Sequence, residues 1–185
     1  MIDVNELRRG VTFTMDHELY KVLEYQHHKP GRGKATIRTT LRNLRTGATI
    51  QHNFISGDRV EDIRVERRAV QYLYSDGDLY YFMDTETYEQ TPLSASVLED
   101  EIPYLKENME LFLSTYEGEA LDVELPTTVE MEVVRAEMAV AGDTATGAMK
   151  KVTMETGLQV QVPLFVKAGD VIRVDTRTGE YVTRV

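Results

Sequence analysis

The chain has 185 residues, a formal net charge of −10 with histidine neutral, and no cysteine. Absent thiols exclude a disulfide framework, a thiolate metal centre and a cysteine nucleophile, and the acidity argues against a generic nucleic-acid binder, which gains affinity by neutralising phosphates. No apolar run resembles a signal peptide or reaches membrane-spanning length, so a soluble, cytoplasmic protein with no membrane partner is expected.

The charge is unevenly spread. Residues 1–64 carry 11 Lys+Arg against 8 Asp+Glu, residues 65–126 carry 3 against 15, and residues 127–185 carry 7 against 8. Segment charges of +3, −12 and −1 fit three modules with separate partners: a basic one suited to phosphate, an acidic one that repels or imitates RNA, and a near-neutral third. About 60 residues each is enough for a small independent barrel.

In the first module short strands are predicted at Thr12–Met15, Leu19–Tyr25, Thr36–Leu44, Thr49–Phe54 and Glu61–Val65, with turns at Asp16-His17 and Ser56-Gly57-Asp58. So many short strands in one small module suggest an SH3-like barrel. Between the second and third strands lies Lys29-Pro30-Gly31-Arg32-Gly33-Lys34-Ala35, a long cation between two glycines. Gly31 and Gly33 permit left-handed backbone, and Pro30 fixes its own φ and biases Lys29 to an extended form. Taken alone this is an ordinary solvated turn; with its flanks it is the basic tip of a long hairpin. Ile37, Thr39 and Leu41 alternate with Arg38, Thr40 and Arg42, which places Arg38 and Arg42 on the outer face of the strand, continuing the charge of Arg32 and Lys34.

The middle module opens with a hairpin, Val70–Tyr74 and Leu79–Met83 around Ser75-Asp76-Gly77-Asp78. Its Tyr72, Tyr74, Tyr80, Tyr81 and Phe82 read as barrel core rather than a base-stacking face, because 15 acidic residues surround them. A short helix is expected over Ala95–Leu98 with Ser94 as its cap, and Pro103 suits the first turn of a further piece. Strands with one small helix fit a five-stranded OB-type barrel. The third module begins after Pro126-Thr127-Thr128 with a strand through Val129, Met131 and Val133; Ala141–Ala148 reads as a loop, and strands follow at Gln159–Val166, Val171–Val174 and Tyr181-Val182.

Catalytic patterns are thin. No phosphate-binding glycine loop, Ser/His/Asp set or metalloprotease helix motif is present. His27-His28 would point to opposite faces of a strand and cannot readily ligate one ion, and the run Glu99-Asp100-Glu101 reads as a solvated face. No enzyme activity, metal or cofactor is expected. An alternative function at this level is a non-enzymatic adaptor that docks partners on its acidic middle barrel.

The whole chain resembles the bacterial elongation factor P family, relatives of eukaryotic initiation factor five-A. The likeness rests on Pro30-Gly31-Arg32-Gly33-Lys34-Ala35, on Tyr72-Leu73-Tyr74 through Phe82-Met83-Asp84 to Thr87-Tyr88-Glu89-Gln90, on Val162-Pro163-Leu164-Phe165-Val166, and on the long ending Val174–Arg184. It implies an L-shaped, tRNA-like molecule: a KOW-type SH3-like barrel (1–64) followed by two OB-folds (65–126 and 127–185). It further implies a monomer that binds the 70S ribosome between the peptidyl and exit sites and relieves stalling at consecutive prolines.

By the same resemblance the tip Pro30 to Lys34 points toward the CCA end of peptidyl-tRNA, and Arg32 stands at the functional position. Many relatives have a lysine there that a modifying enzyme lengthens, which needs a nucleophilic amine that a guanidinium lacks. Some with a tip arginine carry rhamnose on it in a different loop. Arg32 therefore either works unmodified or carries a group that the sequence does not specify. Lys29, Arg38, Arg42, Tyr181 and Arg184 are the expected phosphate contacts, although Tyr181 also reads as a core aromatic and Arg184 as a frayed terminal charge. Gly142-Asp143-Thr144 match a loop that approaches the exit-site codon.

Overall fold

A computed structural model of the chain describes residues 1–138 and 147–185. In the first module β1 (Ile2–Asp3), β2 (Thr12–Met15), β3 (Glu18–His28), β4 (Thr36–Asn43), β5 (Thr49–Ile55) and β6 (Arg59–Asp62) pair antiparallel in the order β1-β6-β2-β3-β4-β5. Strand alternation turns Phe13, Leu19, Val22, Ile37, Leu41 and Phe54 inward, and Phe13 meets Phe54 edge-on at 6.1 Å. Asp16 and His17 both take positive φ, at 52° and 65°, giving the tight two-residue connection that matches the twist of β2 and β3.

The middle sheet contains β7 (Glu66–Ser75), β8 (Leu79–Asp84), β9 (Gln90–Ser94), β10 (Glu110–Tyr116) and β11 (Glu119–Glu124) in the order β11-β10-β7-β8-β9. The third contains β12 (Thr128–Ala136), β13 (Met149–Met154), β14 (Gln159–Pro163), β15 (Val171–Asp175) and β16 (Tyr181–Arg184) in the order β14-β13-β12-β15-β16. Both are five-stranded antiparallel sheets whose outermost strands curl toward each other. Each of the three sheets encloses its own apolar cluster.

Two expectations about the middle module change. Ala95–Leu98 is a turn and not a helix, because a single turn between a strand and Pro103 is too short to repay helix nucleation; Val97 and Leu98 are buried instead. Ser94 still works locally, its Oγ accepting from Ser96 N–H at 3.3 Å. The aromatic cluster divides as well. Tyr72 and Phe82 are core, but a register shift between Tyr72 and Tyr74 moves Tyr74 outward, where it stacks on Tyr81 at 4.7 Å.

The modules meet at two joints. At the first, Leu19 and Leu44 close on Leu121 of the middle module, with Ile63, Val65 and Tyr116 around them. Charges ring this patch: Lys21 contacts Asp122 and, at 3.7 Å, Glu101; Arg42 contacts Glu99 at 3.3 Å and Asp100 at 3.2 Å; Arg45 contacts Glu119 at 3.1 Å. Gly47 abuts Ser96 so closely that a Cβ there would lie 2.6 Å from the Ser96 backbone. At the second joint a 3-10 turn, Ile102–Tyr104, carries Tyr104 into the core of the third module, while Met109 and Leu125 pack against both cores. Thr156 Oγ1 donates to Pro103 O at 2.6 Å, and Lys106 pairs with Glu155 at 3.0 Å.

Candidate nucleic-acid interface

The hairpin β3–β4 runs beyond the barrel it starts in. Along β3 the pattern passes from buried Leu19 and Val22 to five consecutive exposed residues, Glu24 to His28. An apolar core holds its base, and backbone pairing from Tyr20↔Asn43 to His28↔Thr36 carries the outer half. Ser56 N–H donates to Ala35 O at 2.8 Å and so fixes the returning strand. Beyond that anchor Lys29, Pro30, Gly31, Arg32, Gly33 and Lys34 are all exposed. Of the two glycines only Gly33 uses left-handed backbone, at φ +106°, so it makes the reversal; no Cβ clash constrains Gly31, whose space is open. Among the described residues neither Arg32 nor Lys34 has an ion-pair partner.

Below the tip the ladder sets Glu24, Thr40 and Gln51 in one row and Gln26, Arg38 and Asn53 in the next. These residues line a polar hollow of about 380 Å³ on the outer face of β3, β4 and β5. Its primary amides present donors and acceptors beside one exposed guanidinium, a combination suited to phosphate and sugar contacts. Sequence reading named Arg38 alone; Gln51 and Asn53 fall two apart on one strand, and that spacing was the available signal.

Arg42 departs from its expected place. It does lie on the outer face of β4, but it is only 5% exposed, because the middle module covers that end of the strand. Glu99 and Asp100 hold its guanidinium, so it is part of the first joint and does not present to phosphate. The run Glu99-Asp100-Glu101 is correspondingly an interface and not merely a solvated face. Period-two alternation tells which side of a strand a residue takes, not what covers that side.

In the third module Tyr181 is partly buried against the core, opposite Val174. Arg184 pairs with Ile172 in the ladder and is not frayed: its guanidinium lies 5.1 Å from the Phe165 ring centroid and 3.7 Å from Asp170. Tyr181 and Arg184 share a strand but stand far along the chain from the tip module, in a separate sheet. Gly142-Asp143-Thr144 lie outside the described residues. His27 and His28 are both exposed, and among the described residues no group of three His, Asp or Glu side chains could hold a metal ion. Among those same residues no helix is long and apolar enough to cross a membrane.

Known proteins match this architecture module by module. A family model for the elongation factor P KOW-like domain matches residues 3–60, one for the elongation factor P OB domain matches 65–123, and one for the elongation factor P C-terminal domain matches 129–184. A curated elongation factor P from Moorella thermoacetica is 54% identical over 184 residues, and one from Thermoanaerobacter sp. is 53% identical over 185, each aligned along the whole of both chains. A solved structure described as eukaryotic translation initiation factor 5A from Methanococcus jannaschii aligns with 66% of this chain and 92% of that one, at 22% identity and a TM-score of 0.43. With three matching domains in order and more than half of its residues shared with these full-length relatives, the chain belongs to the elongation factor P family.

Proposed function

We propose that the protein is a translation elongation factor that binds the 70S ribosome between the peptidyl and exit sites, as an L-shaped monomer, and relieves stalling at consecutive prolines. The observation that carries this reading is the exposed Arg32, with no ion-pair partner among the described residues, at the end of a hairpin whose base alone is fixed in the core. A cation held out in this way is available to the phosphates and sugars at the CCA end of peptidyl-tRNA. Prolyl substrates are poorly oriented, so restricting the peptidyl-tRNA lowers the entropic part of the barrier while the ribosome performs the chemistry. No catalytic group or cofactor of the protein is needed for that role.

Lys29 and Arg38 extend the contact down the hairpin, and Tyr181 and Arg184 supply a second one from the third module. Gly142-Asp143-Thr144 approach the exit-site codon. The adaptor alternative has less support, since five of the middle module's acidic residues, Glu99, Asp100, Glu101, Glu119 and Asp122, are engaged by the first module.

Reconstituted translation of a polyproline reporter tests the mechanism. Arg32→Ala is expected to unfold at the wild-type temperature, because the side chain is exposed, and to lose the rescue. Equal rescue by the variant would remove Arg32 from the mechanism. Arg38→Ala is expected to weaken ribosome binding and flatten its salt dependence. The mass of intact protein from its native host locates any modification; an added group on Lys34 would overturn the assignment of Arg32.

A further inference from the structure

The first joint contains a buried charge group for which ribosome binding gives no reason. Lys21 on β3 faces two carboxylates, Asp122 on β11 in direct contact and Glu101 at 3.7 Å. The Glu101 side chain is 14% exposed, and its Oε2 is buried with no hydrogen-bond partner. With both acids ionised, one ammonium must balance two carboxylates away from water, leaving an uncompensated negative charge.

The surrounding groups offset this charge only weakly. Arg42 on β4 is already shared by Glu99 and Asp100 of the same turn. Arg9, Glu124 and Arg177 line, together with Lys21 and Glu101 themselves, a cleft of about 380 Å³, and Arg177 is held by Asp175 at 2.8 Å. Burial therefore raises the Glu101 carboxyl to about 7, Lys21 and, least of all, Arg42 opposing the shift and Asp122 and Asp100 adding to it. Burial works against the Lys21 charge too, but Asp122 and Glu101 outweigh it, and its pKa is raised.

We infer that the first joint is a proton-sensitive latch: a proton on Glu101 neutralises the buried group and holds the tip module against the middle one, and its loss loosens the contact that orients the tip. Once the modules part, Glu101 is a solvated carboxylate near its ordinary value of 4.5. The docked form then binds more protons than the undocked form between that value and about 7. The Glu101 contribution to docking is fully present below this window, falls roughly tenfold per pH unit within it, and is lost above it.

The chain lacks cysteine, so Arg59→Cys in the first module and Glu89→Cys in the middle one, both exposed, accept a donor and acceptor dye without competition. Energy transfer across the joint is recorded from pH 4 to 9, alongside the carboxyl carbon shift of Glu101 by NMR. The expected result is one midpoint in both signals within a unit of 7, and for Glu101→Gln a transfer distribution that stays at the acid form throughout. That isosteric variant also separates the latch from any effect of the four histidines of the first module, which it leaves in place. Titration of Glu101 near 4.5, a transfer signal that ignores its titration, or a variant that follows the wild-type curve would each overturn the latch.

Discussion

Between the first and middle modules three cations meet five carboxylates around a small leucine patch, whereas between the middle and third modules one tyrosine enters a neighbouring core and two further apolar side chains are shared. The first joint depends on matched charge, so salt and protons act on it. The second depends mostly on apolar burial, which screening leaves nearly untouched, with one partly exposed ion pair, Lys106–Glu155, that contributes little. One chain thus combines a joint that responds strongly to the solution with one that responds little, and the responsive joint is the one next to the tip.

The largest test of this contrast is Tyr104→Ala, which removes the wedge and leaves a cavity in the third module. A loss of about 3–5 kcal/mol is expected in denaturant unfolding, and wild-type stability would show that Met109 and Leu125 hold the joint unaided. Asp122→Ala comes next: it removes the closest partner of Lys21, but Glu101 then pairs with the ammonium, so the loss should stay below the roughly 3 kcal/mol of a buried charge left stranded.

At Gly47 the new Cβ meets the Ser96 backbone at a position that already has φ +76°. Gly47→Ala should therefore cost about 1–3 kcal/mol, and dye transfer across the first joint should fall. Raising salt from low to molar concentration should broaden that same transfer and leave a dye pair across the second joint unchanged; equal responses at both joints would erase the distinction. The smallest effect belongs to Arg45→Ala. Its pair with Glu119 is about half exposed on each side, and its melting temperature should coincide with the wild type.

Much of the molecule is legible from residue order because the deciding interactions are local. The Asp16-His17 turn follows from neighbouring residues, β2 matches its expected span, and Tyr72 and Phe82 enter the core as their alternation requires. The strands β10 and β11, with the Glu117-Gly118 turn between them, were not predicted: outward Phe112 blurs the alternation of β10, and Asp122 interrupts the apolar run of β11. At the tip the exposed cation is legible, but which glycine reverses the chain is not: both permit positive φ, and only Gly33 adopts it.

By itself, then, the sequence determined three β modules, the partition of charge among them and the cationic tip, because alternation, turn residues and composition act within a strand or a hairpin. Tertiary structure decided where that charge is used. Arg42 and the Glu99-Asp100-Glu101 run are 57 or more positions apart and acquire their roles only when the modules close on each other. Burial in that contact, which no local pattern encodes, turns an outward-facing arginine into a structural cation and a surface glutamate into a group that titrates near neutrality.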